Sequence, residues 1–199
     1  MNKFQTLTAV AAPFPQKNVD TDFIIRIERC TGTPKDEVGR YAFETARFLP
    51  GGADNPDFVL NQPRYRGAQI LVCGEFFGTG SSREVAVWAL ASMGVRCVIA
   101  PSFGQIFFNN CFQNGLLAIV LPSSVVENLM KEASTPDAKP FTIDLANQRI
   151  NGSVHFEVAP RNKKMLLEGL DEIGLTLAME PKIAAFQNAD RKQRPWIYS

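Results

Sequence analysis

The chain of 199 residues holds a single histidine, His155. A metal centre built on several imidazoles is therefore excluded, and any imidazole-based triad would rest on that one ring. Cysteine is sparse too. Cys30, Cys73, Cys97 and Cys111 lie 43, 24 and 14 residues apart, so no CxxC clip exists. Cys73 and Cys97 fall inside apolar runs of strand length and read as core residues. Neither charge is in excess: 21 Lys and Arg stand against 20 Asp and Glu, a formal charge of +1. A general nucleic-acid surface or an anionic-membrane surface needs a basic face, so neither is expected. No apolar run approaches the length of a membrane span, and the opening Met-Asn-Lys-Phe-Gln-Thr has no apolar signal region. A reduced, cytoplasmic setting is the default expectation.

What remains is an ordinary globular composition, 45% apolar and 21% charged. The length suits one domain over residues 1–199, which buries about 70% of its unfolded surface without a disulfide or metal. The middle of the chain is its most regular part. Ala68–Cys73, Val95–Ala100 and Leu116–Leu121 are short apolar strands. Between them, Ser82–Met93 and Ser102–Asn114 read as helices, and Ser123–Ala133 follows as a third. This alternation predicts an α/β fold with a central, mostly parallel sheet and right-handed crossovers. Strands that are apolar throughout have both faces covered by helices. Residues 28–66, rich in Gly, Pro and charge, form a long loop with one helix-like stretch at Glu37–Phe48; a loop of that length is functional or touches a partner. Phe141–Leu145 and Val154–Val158 alternate as strands joined through Asn151-Gly152. Short helices are expected between Lys163 and Ala189. The basic, aromatic tail at 190–199 is either solvated or a strap on a partner subunit.

The sharpest local feature is Gly74-Glu-Phe-Phe-Gly-Thr-Gly-Ser-Ser-Arg-Glu84, a turn from strand into helix. Gly78 and Gly80 allow positive φ or close approach. The helix start contributes backbone amides and a positive dipole end, and Arg83 adds a fork suited to a carboxylate. The competing reading is a capping box, with Ser81 and Glu84 doing no more than satisfying the first amides of the helix. Phosphate is disfavoured because no P-loop lysine is present, and dinucleotide because the third glycine is missing. A second feature, Asp20-Thr-Asp22 before Phe23-Ile24-Ile25, places two carboxylates at the mouth of an apolar strand. There they either orient an arginine or form a solvated Asx turn. Arg26 and Arg29 open the long loop within reach of a second carboxylate, or simply lie exposed. His155 reads as a strand-face residue, and Asn109, Asn110 and Asn114 as helix-end caps.

Five blocks then occur in order: Asn18-Val-Asp-Thr-Asp22, Gly78-Thr-Gly-Ser-Ser-Arg-Glu84, Val98-Ile-Ala-Pro-Ser-Phe103, Asn114-Gly-Leu-Leu117 and Gly169-Leu-Asp-Glu-Ile-Gly-Leu-Thr-Leu177. With Asn55-Pro-Asp-Phe-Val-Leu-Asn61, they resemble the small subunits of the 3-isopropylmalate dehydratase family, the swivelling β/β/α domain of the aconitase superfamily. The resemblance covers nearly the whole chain. It implies half of a hydro-lyase acting on a 2-hydroxy diacid in leucine biosynthesis. The [4Fe-4S] cluster is expected on a large-subunit partner, and this chain is expected to bind no metal or cofactor. By the same resemblance Ser81 is the proton-abstracting base and Asp22 part of its acid–base network. Ser82 and Arg83 bind substrate carboxylate beside Thr79 and Gly80, with Arg26 and Arg29 nearby. The chain departs from the family pattern at Arg26, where proline is common, at Val85, where histidine is common, and at Thr45-Ala-Arg-Phe48. These departures leave two alternatives: a dehydratase for citraconate/2-methylmalate or dimethylmalate, or a non-catalytic carboxylate-binding module.

Overall fold

The computed structural model describes residues 1–198. Strands β1 (Thr6–Ala9) and β2 (Ala11–Phe14) are separated only by Val10, yet they enter different sheets. β2 lies parallel to β3 (Ile70–Cys73), β3 to β4 (Cys97–Ala100), and β4 to β5 (Leu117–Val120), with Phe14 opposite Cys73 and Val98 opposite Ala118. All four residues of β3 and of β4 are buried, as uninterrupted apolar strands require when both faces are covered.

The covering elements follow from the connections. Between β2 and β3 lie α1 (Thr21–Ile24) and α2 (Glu44–Arg47); α3 (Glu84–Ser92) and α4 (Gln105–Gln113) make the next two crossovers. With sequential strand order, right-handed crossovers fall on one face, and α3 packs against both α4 and the 3-10 turn Val38–Tyr41. α5 (Ser123–Ser134) runs back over β4, β3 and β2 and covers the other face with Val126, Leu129 and Ala133. The second sheet is antiparallel: β1 pairs β6 (Phe141–Asp144), β6 pairs β7 (Arg149–Ile150), and β7 pairs β8 (Val154–His155). Helices α6 (Pro160–Glu168), α7 (Glu172–Leu177) and α8 (Glu180–Gln193) complete the chain.

Several sequence expectations shift. Phe23-Ile24-Ile25 is no strand: Asp20 accepts a hydrogen bond from the Phe23 amide at 2.6 Å and caps the single turn α1. Glu37–Phe48 is broken in two, because Phe43 takes a left-handed backbone (φ 56°) between the 3-10 turn and α2. That kink seats the Phe43 ring fully buried, 5.3 Å from Phe14 and 5.6 Å from Phe58. Phe141–Leu145 does not pair directly with Val154–Val158; Arg149–Ile150 intervenes, and Asn151-Gly152 turns β7 into β8. Cys73, Cys97 and Cys111 are buried free thiols, raised by desolvation. The tail beyond α8 forms a 3-10 turn at Pro195–Ile197; Ser199, its last residue, lies outside the described residues. Among those described, no helix is long and apolar enough to cross a membrane.

Candidate active site

The turn after β3 is held by a neighbour distant in sequence. The Gly78 and Thr79 amides both donate to the Val19 carbonyl, at 2.7 and 3.1 Å, and the Thr21 amide donates back to Thr79 at 2.9 Å. The buried Thr21 hydroxyl donates to the Ser81 carbonyl at 3.1 Å. Residues 18–25 are thereby stitched to the glycine turn, which is why the two motifs, far apart in the chain, form one site. Gly78 has φ +72°, and a Cβ there would fall 2.2 Å from the Phe107 ring. No other residue fits that position.

The two carboxylates divide their work. Asp20 caps α1, whereas Asp22 forms an ion pair with Nη1 of Arg83. The Arg83 side chain is 16% exposed and Asp22 55%, so the arginine is the more buried of the two and its partner faces solvent. The hydrogen bond to Asp22 holds the guanidinium even more firmly protonated, although burial opposes this. A guanidinium has five N–H donors, and Asp22 is the one carboxylate paired with it among the described residues. Nε and Nη2 bond no acceptor among the described residues.

The capping box does not form. The N-cap of α3 is Arg83, with no side-chain bond, and the helix starts at Glu84 rather than Ser82. The Glu84 carboxylate is turned toward Asn114, which donates to it at 2.7 Å. Ser81 and Ser82 are exposed, and among the described residues neither hydroxyl has a partner. Of the turn's amides, those of Gly78 and Thr79 are spent on Val19, while those of Gly80, Ser81 and Ser82 have no acceptor among the described residues. The free amides therefore span less than the motif, from Gly80 to Ser82, because the Arg83 amide donates to the Ser81 carbonyl at 2.8 Å. Thr79 contributes through its backbone, as the strap to Val19 and Thr21.

Arg26 and Arg29 are near but occupied. Arg26 forks onto Glu28 at 2.9 and 3.2 Å, and Arg29 Nε reaches Glu44 at 3.0 Å while stacking over Tyr41 at 4.3 Å. They border a cleft of about 630 Å³ with Arg40, Tyr41, Phe48 and Leu49. Binding a second carboxylate there means exchanging one ion pair for another. Cys30 donates to the Arg26 carbonyl at 3.5 Å; burial raises its thiol, and the nearby Arg83 charge works against that rise.

Asn114 does more than its place at a helix end indicates. It closes α4, but its amide also accepts from Trp88 Nε1 at 3.0 Å and Lys35 Nζ at 2.7 Å, and donates to Glu84 and the Asn110 carbonyl. All four hydrogen-bonding positions are used, fixing the first residue of α3 against the long loop. No local spacing signals this, since the four partners come from three separate segments. His155 stands on β8 of the other sheet, bonding Gln148 at 3.1 Å, and takes no part.

No group of three or more His, Cys, Asp or Glu that could hold a metal ion occurs among the described residues. With three of the four thiols sealed in the apolar core, the donor set does not fit an iron–sulfur cluster.

The chain has the α/β fold of an aconitase-type small subunit, with a partly buried arginine beside exposed serines at a strand-to-helix turn of its parallel sheet. Residues 1–124 match the aconitase C-terminal domain, and residues 172–198 match the C-terminal domain of the 3-isopropylmalate dehydratase small subunit. The small subunit of 3-isopropylmalate dehydratase from Paramagnetospirillum magneticum is 51% identical over 99% of this chain and 100% of its own. That of Parvibaculum lavamentivorans is 49% identical with the same coverage. A crystal structure of 3-isopropylmalate dehydratase from Methanocaldococcus jannaschii shares the fold, with a TM-score of 0.64 at 24% identity over 92% of this chain and 99% of that one. The chain belongs to the 3-isopropylmalate dehydratase small-subunit family.

Proposed function

We propose that the chain, acting as one swivelling domain in the cytoplasm, is the small subunit of a two-component hydro-lyase that interconverts 2-isopropylmalate and 3-isopropylmalate. The observation that carries this is the Arg83–Asp22 pair beside an unpartnered Ser81 hydroxyl, at the mouth of a turn with three free amides. The reaction removes a proton from one carbon and hydroxide from its neighbour, then returns water with the positions exchanged. Ser81 Oγ takes and returns the carbon-bound proton. A serine is far too weak a base unless its anion is stabilised, and the same turn holds the free amides, the start of α3 and Arg83 that would stabilise it.

Arg83 and Ser82 hold a substrate carboxylate; Asp22 keeps Arg83 oriented and charged. Gly80 lets the backbone approach the substrate, while Arg26 and Arg29 frame the second end of the diacid. A [4Fe-4S] cluster on the large subunit would supply the Lewis acid for the departing hydroxyl; this chain's own residues hold the carboxylates and move the proton.

The test is coexpression with the organism's own large subunit, following the alkene absorbance from 3-isopropylmalate. The wild-type pair turns the substrate over, and Ser81→Ala lowers kcat by about 10²–10⁴-fold with the complex intact. A variant within a few-fold of wild type removes Ser81 as the base. Turnover of dimethylmalate or 2-methylmalate in place of 3-isopropylmalate overturns the substrate.

A further inference from the structure

Helix α8 is 14 residues long and exposed along almost its whole length. Asp190 is its one buried residue, and the short turn Pro195–Ile197 is its main packing partner. A helix of that length is marginal in water without a packed face. It nevertheless carries a face to pack: Met179, Ile183 and Phe186 follow at helical spacing, with Phe186 64% exposed. On α7, Ile173 and Leu177 add a pair four residues apart, 70% and 64% exposed. Beyond the stripe stand Arg191 and Lys192, a basic end with no ion-pair partner among the described residues.

From this arrangement we infer that α7 and α8 form the docking arm by which the chain grips the cluster-bearing large subunit. The inference rests on the two-subunit reading above and adds where the grip lies. Two observations choose this occupant. The match to the aconitase C-terminal domain ends at residue 124, whereas residues 172–198 match the C-terminal domain of the 3-isopropylmalate dehydratase small subunit. A swivelling domain inside a longer chain is tethered covalently, and a detached one needs a non-covalent substitute. The segment is also the size of one side of a standard interface, about 20–30 residues, with an apolar centre and a charged rim. The basic end calls for an acidic patch on the partner, so association weakens with salt.

The experiment uses the full chain with the organism's own large subunit, measuring the association constant, the melting temperature of the free chain and its oligomeric state. Ile183→Asp with Phe186→Asp weakens association at least tenfold, while the melting temperature of the body is unchanged because both side chains are exposed. Arg191→Glu with Lys192→Glu, which leaves the apolar stripe intact, weakens association at low salt and loses that effect at high salt. Unchanged association in both variants overturns the docking arm while leaving the proposed activity standing. If instead the free wild-type chain is a dimer that the aspartates make monomeric, with association unaffected, the face belongs to a second copy and the inference fails. Wild type that does not associate at all sinks the two-subunit reading itself.

Discussion

Arg83 Nη1 rests against Asp22 Oδ1, so the first residue before α3 and the one-turn helix α1 meet through a single ion pair. With Asp22 largely exposed, the pair stabilises the fold little; its value lies in aiming the guanidinium. Arg83→Lys keeps the charge and loses the fork, so KM for the diacid rises about 10–100-fold, the worth of one charge-assisted hydrogen bond at 1.5–3 kcal/mol. Asp22→Asn keeps the shape and loses the anchor, raising KM less and leaving the melting temperature within about 2 °C. Steady-state kinetics of the reconstituted pair separates the two. A drop in kcat with unchanged KM for Arg83→Lys contradicts the carboxylate-binding role.

Gly78→Ala tests the turn itself. The new methyl meets the Phe107 ring and the backbone must hold φ +72° with a side chain. Steric overlap and the left-handed conformation together cost about 2–4 kcal/mol, which for a chain of this size lowers the melting temperature by roughly 4–16 °C. Calorimetry of the free chain reads this directly, without a partner or substrate.

Much of this turn is legible in the sequence, and the reasons are local. Gly78 and Gly80 announce positive φ; continuous apolar runs announce β3 and β4 with covered faces, and β5 as far as Ile119. Boundaries read from the sequence run wide because strand and helix ends are governed by partners. Ser82 reads as helix, yet the Arg83 backbone is the cap. Capping chemistry at Ser81 fits the four residues taken alone, and Asn114 defeats it by drawing Glu84 away. The stitch from Val19 and Thr21 to the turn is not legible, since no periodicity links the two segments. The five ordered motifs supply that juxtaposition only by resemblance.

Asn114→Ala removes four hydrogen bonds at once. Trp88 Nε1 and Glu84 are half-buried, so their loss of partner costs about 1–3 kcal/mol, or about 2–4 °C in melting temperature per kcal/mol. Since Glu84 follows Arg83 directly, kcat/KM falls as well, in a fixed ratio for every diacid tested, because positioning rather than recognition is lost. Asn114→Asp retains the acceptors for Trp88 and Lys35 but sets a carboxylate against Glu84 and the Asn110 carbonyl, so it restores neither the full stability nor the rate. A melting temperature equal to wild type in Asn114→Ala rules out the hub.

The tail carries its own pH window. Asp190 accepts from Arg194 Nε and from the Tyr198 hydroxyl, each at 2.7 Å. The bond from Tyr198, then that from Arg194, holds the Asp190 carboxyl below its ordinary value, and the same contact pushes the Tyr198 phenol above its own. A carboxylate lowered in the folded state contributes stability that is complete above its unfolded pKa, near 3.9, and disappears as pH falls through the folded value. A phenol raised in the folded state contributes below its unfolded pKa, near 10, and that share disappears as pH rises through the folded value. The clasp is thus closed from about pH 4 to about pH 10. Nuclear magnetic resonance of the Tyr198 ring shows a single folded environment across that window and averaging outside it. Asp190→Asn shows averaging at neutral pH, and trypsin then cuts after Arg191 and Lys192 faster than in wild type. Equal cleavage rates in the two chains at pH 8 mean that the carboxylate does not hold the tail.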